Sequence, residues 1–220
     1  MKKIKTSLIL NILIVIFVTI GTIFMFTGFK FMPADNLVLA STKIEMFKYY
    51  TVDSNMLIGI VSLILIIYEA KLLKKKIKEI PKWVLVLKEI GTSGIGLTFL
   101  VTLVFLTPTY GFYSMYNNTN LFFHLIVPIL SFISYIGFEK YNSKYKEAFF
   151  GTLPMIIYAV FYIAVVLFHL DSGGLTIKYE FYGFLKGNMN NIYISLPVIY
   201  LASYLISLLL IHLNKKIGKE

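Results

Sequence analysis

Six apolar runs of near twenty residues, separated by short polar or basic stretches, organise this chain. Runs of that length with few charges are long enough to cross the hydrocarbon core of a bilayer as helices. The pattern predicts spans over residues 8–28, 49–73, 83–106, 120–138, 149–170 and 191–213. The expected fold is all-α: one polytopic membrane domain over residues 1–220, with six transmembrane helices. Pro108 is expected to end the third span. Pro128, Pro154 and Pro197 fall inside spans, where neighbouring helices tolerate them. Residues 29–47 read as a mixed loop in which Asp35-Asn36-Leu37 or Ser41-Thr42-Lys43-Ile44-Glu45 starts a short interfacial helix. The first run is too long for a signal peptide, and no small-residue cleavage site follows it.

Polar residues inside the spans recur at helical spacing, and residues three, four and seven apart share a face. Thr51, Ser54, Asn55 and Ser62 make one stripe on the second span; Asn120, His124, Ser131 and Tyr135 make one on the fourth. Tyr158, Tyr162 and His169 align on the fifth, and Tyr193, Tyr200, Tyr204 and Ser207 on the sixth. Asp53 lies roughly 200° round its helix from Thr51. Polar groups are costly in lipid and turn toward a partner or a cavity, so these stripes are expected to face inward. Gly91-Thr92-Ser93-Gly94-Ile95-Gly96 reads as small residues that let helices approach closely.

Composition agrees with the pattern. The chain is 58% hydrophobic, where a soluble domain is about 45–50% apolar. Cysteine is absent, which excludes disulfides and thiolate chemistry; no cofactor and no metal is expected. The net charge of +10 comes from lysine alone, since there is no arginine. If the N-terminus is cytoplasmic, fifteen lysines fall on that side and five on the other, with Lys88 inside the third span. That asymmetry is the positive-inside pattern and puts both termini in the cytoplasm. It also accounts for the charge without a nucleic-acid partner.

This topology sets three features at one depth near the outer face: Thr51 where the second span begins, His124 about one turn into the fourth, and His169 at the tip of the fifth. Plainer readings stand beside them. Thr51, Ser54 or Asp53 can cap the second span, where hydroxyl and anionic groups favour a helix N-terminus. His124 can be a structural histidine bonded across helices, and His169 an interfacial residue. The tyrosines can be interfacial anchors. Lys88, Glu89 and Glu69 are expected to snorkel to the cytoplasmic surface. Asn117-Asn118-Thr119 matches a glycosylation sequon.

Three short segments carry a family resemblance: Lys48-Tyr49-Tyr50-Thr51-Val52-Asp53-Ser54-Asn55, Asn120-Leu121-Phe122-Phe123-His124 with Pro128, and Tyr182-Gly183-Phe184-Leu185. In order and topology they resemble the androgen-induced membrane protein family and its bacterial Pr6Pr-type relatives, over residues 47–186. Asp53 stands where the bacterial motif has Gln, and Gly183 where the late motif has Pro. The family includes intramembrane threonine hydrolases that cleave fatty acid esters of hydroxy fatty acids. The resemblance implies Thr51 as nucleophile and His124 as base.

The expected function is therefore hydrolysis of a lipid or fatty-acyl ester in a membrane, a bacterial cell membrane on this reading. A threonine hydroxyl needs an adjacent base, and His124 is the candidate. Ser54, Asn55, Asn120, Tyr158, Tyr162, His169 and Tyr200 are candidate substrate contacts. Asn55, Asn120 and the tyrosines are candidate oxyanion donors, and His169 or Asp171 could orient the base. The alternative is a non-catalytic small-molecule or lipid binder, such as a transporter's substrate-capturing subunit. Six spans fit that class, although the first span lacks its Ala-x-x-x-Ala docking pattern.

Overall fold

A computed structural model describes residues 1–33, 41–139, 143–170, 179–180, 182, 185 and 188–217. The described residues are helical, without strands, and six helices are long and apolar enough to cross a membrane. They are α1 (Lys2–Thr27), α2 (Tyr50–Leu73), α3 (Lys82–Tyr110), α4 (Thr119–Gly137), α5 (Tyr145–Phe168) and α6 (Ile192–Ile217). By these helices the chain is an integral membrane protein.

Several helices outrun the apolar runs that foretell them. α1 starts among its lysines and α6 continues through Lys215 and Lys216, because backbone hydrogen bonding does not stop where side chains become polar. α3 passes through Pro108 to Tyr110 rather than ending before it. A π-helical turn at Thr102–Leu106 precedes the proline. The Thr107 hydroxyl donates to the Thr102 carbonyl at 2.8 Å, and that of Thr109 to Phe105 at 2.7 Å. Side chains thus take up carbonyls in the disturbed turn. The short helix expected from Ser41–Glu45 is a 3-10 turn at Lys43–Lys48. The alternative start at Asp35-Asn36-Leu37 lies outside the described residues.

α3 is the most enclosed span. Every residue from Gly91 to Thr98 is buried. A Cβ on Gly91 would meet Ile58 of α2 at 3.0 Å, one on Gly94 would meet Pro154 of α5 at 3.3 Å, and one on Gly96 would meet Ile206 of α6 at 2.8 Å. Small residues therefore seat α3 against three neighbours at once. An apolar core of Ile14, Val18, Ile58, Ile95 and Val127 joins α1, α2, α3 and α4.

The snorkelling expected of Lys88, Glu89 and Glu69 does not occur. All three are 1% exposed or less. The Lys88 ammonium bonds Asn11 Oδ1 at 2.6 Å and Ser62 Oγ at 3.2 Å, and lies 3.5 Å from Glu139 Oε1. Glu89 accepts from Ser93 at 3.1 Å and from Ser207 at 2.5 Å. Polar residues on α1, α2, α3 and α6, with Glu139 just past α4, supply partners for Lys88 and Glu89 inside the bundle, so these groups need not reach water. The sequon fails for a related reason. Asn117 is buried and donates to the Pro33 carbonyl at 2.9 Å, while Asn118 accepts from the Phe31 and Met32 amides.

Candidate functional site

α2 begins at Tyr50 with Tyr49 as its N-cap, so neither Thr51, Asp53 nor Ser54 caps it. The free amide of Tyr50 instead donates to the Tyr182 hydroxyl at 2.7 Å. Burial raises the Tyr182 hydroxyl well above the ordinary phenol range, so it stays a neutral acceptor. Asp53 is half-buried in the first turn, where its charge suits the helix N-terminus.

With the caps supplied elsewhere, the hydroxyls of α2 turn into the bundle. Thr51, Ser54, Asn55 and Ser62 are all buried, as the stripe requires. The Ser54 and Thr98 hydroxyls share a hydrogen bond at 2.8 Å, tying α2 to α3. Asn55 donates to the Thr51 carbonyl at 2.7 Å and to the Phe123 carbonyl at 3.2 Å, tying α2 to α4 one residue before His124. The Thr51 hydroxyl itself takes part in no hydrogen bond among the described residues.

Thr51 borders a cavity of about 80 Å³ enclosed by α2, α3, α5, α6 and Tyr182. One water needs ~15 Å³ of such space, so the cavity accepts several waters or part of a ligand. Its wall is largely apolar, with hydroxyls from four tyrosines (Tyr50, Tyr158, Tyr162, Tyr182) and from Thr51, Thr98, Thr102 and Ser195. The tyrosines form a connected cluster: Tyr50 and Tyr158 meet edge-on at 5.2 Å, Tyr158 stacks on Tyr162 at 6.3 Å, and Tyr182 touches both of the latter. Tyr50 donates to the Gly94 carbonyl and Tyr158 to that of Lys48, so these rings are held in place. Thr102 is buried on this wall, and its hydroxyl has no partner.

His124 is fully buried on a π-helical turn of α4, Phe122–Ile126. Its Nδ1 lies 2.7 Å from the Met115 carbonyl, and its Nε2 has no partner. A carbonyl only accepts, so in the neutral ring Nδ1 carries the proton and Nε2 the lone pair. Tyr116 stands edge-on to the ring. His124 does not border the cavity, and no hydrogen bond joins it to Thr51. π-turns in α3 and α4 thus each contain a buried polar group without a partner, an arrangement frequent at functional sites.

The chain matches no family model, no curated protein and no solved structure.

The other candidate contacts divide. Tyr158 and Tyr162 line the cavity, whereas Ser54 and Asn55 brace it through the bonds above. Asn120 donates to the Ser114 carbonyl at 3.3 Å and borders a second cavity of about 260 Å³, with Lys30, Thr42 and Asn118. His169 is exposed, with Nδ1 2.8 Å from the Val165 carbonyl and its ring stacked on Tyr179 at 3.7 Å, so it contacts neither Thr51 nor His124. It is exposed because α5 ends before it: Tyr162 and Val166 turn into the bundle, but the helix stops at Phe168 and His169 is its C-cap. Tyr200 is half-buried on α6 and away from the cavity wall, and Tyr193 is exposed, so the α6 stripe turns inward only at Ser207. Asp171 lies outside the described residues, as do Gly183 and Phe184 of the late motif. Among the described residues, no group of three or more His, Asp or Glu could hold a metal ion.

Sequence reasoning missed Tyr50, Thr98, Thr102 and Ser195. Thr98 and Thr102 are four apart in an apolar run, the same inward-stripe signal as on α2.

Proposed function

We propose that the protein is an intramembrane hydrolase of lipid esters, of the fatty acid ester of hydroxy fatty acid type, with Thr51 as nucleophile and His124 as general base. The observation that carries this reading is the Thr51 hydroxyl, unengaged on the wall of an apolar cavity. The His124 tautomer supports it, since the lone pair needed to take up a hydroxyl proton sits on the nitrogen without a partner. The lysine asymmetry supports cytoplasmic termini, with the cavity near the outer face of the cell membrane, where an ester beneath the headgroups can meet water.

In this scheme Thr51 Oγ1 attacks the ester carbonyl as its proton passes to His124 Nε2. The protonated imidazole then gives the proton to the departing alcohol, and water hydrolyses the acyl-threonine with His124 again as base. Proton transfer needs an approach of ~3 Å, and such contacts tighten when substrate binds. The seam between α2 and α4 at Asn55 would carry that approach. Asn55 has both amide hydrogens committed to carbonyls and Asn120 borders the other cavity; the buried Thr102 hydroxyl is a candidate oxyanion donor on the cavity wall.

The test uses purified protein in detergent with a fluorescent lipid ester. Thr51→Ala and His124→Ala should each abolish turnover with unfolding temperature preserved, and a fluorophosphonate should label Thr51 in the parent protein. Rates unchanged by both substitutions would end the catalytic reading. A second reading, lipid or small-molecule binding without turnover, is favoured by the absence of His124 from the cavity wall. Retention of the ester without cleavage would select it.

A further inference from the structure

At the opposite end of the bundle from Thr51, five elements close over a set of charges that the proposed hydrolysis does not use. Lys88 of α3 is fully buried, with its three ammonium hydrogens matched by Asn11, Ser62 and Glu139. Glu139, just past α4, collects its donors on one oxygen. Oε1 accepts from Asn11 at 3.0 Å, from Ser7 at 3.4 Å, from Ser134 and from Lys88. Its other oxygen, Oε2, is buried without a partner. Glu69 of α2, 1% exposed, lies within electrostatic reach of both Lys88 and Glu139, and its Oε2 is likewise buried without a partner. From α6, Asn214 donates to the Tyr135 and Glu139 carbonyls and seals the floor. The groups that face Glu69 are thus Ser7 and Asn11 from α1, Lys88 from α3 and Glu139 beyond α4, of which only the last two carry charge.

Among the described residues, counting charge in this closed space gives one ammonium against two carboxyls. If all three were ionised, a net negative charge would sit in a low-dielectric interior, where an uncompensated ion is very costly. Two free carboxyl oxygens are far fewer than the oxygen shell a hard metal ion takes. A proton needs only one of them. We infer that the Glu69–Lys88–Glu139 cluster binds one exchangeable proton, held by the Glu69 and Glu139 carboxyls, as a titratable site separate from the cavity at Thr51. The crowding of donors on Glu139 Oε1 marks Glu139 as the ionised partner of Lys88, which leaves the proton on Glu69. Intramembrane carboxyls of this kind serve as proton relays and pH-responsive elements.

The experiment is an infrared titration of the full chain in lipid nanodiscs, following the carbonyl band of protonated carboxyl groups in light and heavy water. The expected result is a deuterium-sensitive band with a component of one proton per chain that fades as the buffer moves from mildly acidic to alkaline. Glu69→Gln should remove it. Glu89→Gln, at the other buried carboxyl, should leave it. Lys88→Met deletes the cluster's one positive charge among the described residues, so the charge count requires the band to rise about twofold. The parent protein decides exchangeability without any variant: a band unmoved across the titration overturns the proposal. So does a band left undiminished by Glu69→Gln, or one erased by replacing potassium with sodium at fixed pH, which would mark a metal site. Lipid-ester turnover enters none of these readouts, so failure of the hydrolase reading leaves the outcome unaffected.

Discussion

The amide of Tyr50 donates to the hydroxyl of Tyr182 at 2.7 Å, across 132 residues of chain. A residue from the late loop thereby does for α2 what a capping side chain normally does, and its ring also walls the cavity beside Thr51. Tyr182→Phe keeps the ring and deletes the acceptor. We expect a loss of about 1 kcal/mol in stability, the net worth of one such bond. Amide exchange should quicken at Tyr50, measured by hydrogen-exchange mass spectrometry. Unchanged exchange there would show that the cap is dispensable.

Thr98 holds Ser54 at 2.8 Å, the side-chain bond that joins α2 to α3 beneath the cavity. Thr98→Val preserves shape and removes the hydroxyl. Ser54 keeps the Thr51 carbonyl at 3.2 Å, so the change costs only about 1 kcal/mol. A thermal-unfolding series would read this as a modest fall in Tm with the fold retained.

Thr102 offers a second unengaged hydroxyl on the cavity wall, after that of Thr51. On the hydrolase reading Thr102→Val should lower kcat by ~10² or more, as loss of an oxyanion donor does, with KM little changed. A change confined to KM would reassign Thr102 to ligand binding.

Lys88 and Glu139 are paired where water does not reach. Breaking such a pair from one side costs ~3–5 kcal/mol, since the carboxylate left behind must take up a proton or stay as a lone buried charge. Lys88→Met should therefore be strongly destabilising in a denaturation assay. Adding Glu139→Gln to it should recover much of the loss. If the double variant is as unstable as the sum of the singles, the two residues are not coupled.

Gly151 admits no larger residue. A Cβ there would sit 2.5 Å from Ser207 Oγ and 2.7 Å from Ser93 Oγ, and both hydroxyls are bound to Glu89. Neither can retreat without unpairing that carboxylate. Gly151→Ala should cost ~1–3 kcal/mol, typical of overpacking a filled site. Gly137→Ala, with open space around it, is the control and should be near neutral.

Much of the candidate site is readable from spacing alone. Thr51, Ser54 and Asn55 on α2 and Asn120, His124, Ser131 and Tyr135 on α4 are all buried, because a polar group at helical period in an apolar run faces the bundle. His169 shows the limit of that rule: its spacing matches Tyr162, yet it is the C-cap of α5, past Val166, the last buried position of that helix. Lys88 and Glu89 show another. Near a span's end, sequence cannot tell a snorkelling charge from a paired one, because the partners come from other helices: Asn11 and Ser62 for Lys88, Ser207 for Glu89.

Sequence by itself determined the six helices, their approximate limits and the inward faces of α2 and α4, since hydropathy and helical period are local properties. Tertiary structure decided which inward groups meet. It took the start of α2 to Tyr182, set the Thr51 hydroxyl on a tyrosine-walled cavity, placed His124 against Met115 off that wall, and enclosed Lys88 with two carboxyls. Each of these joins residues from different helices, and the angle and depth at which helices pack depend on the glycines and side-chain volumes of both partners together.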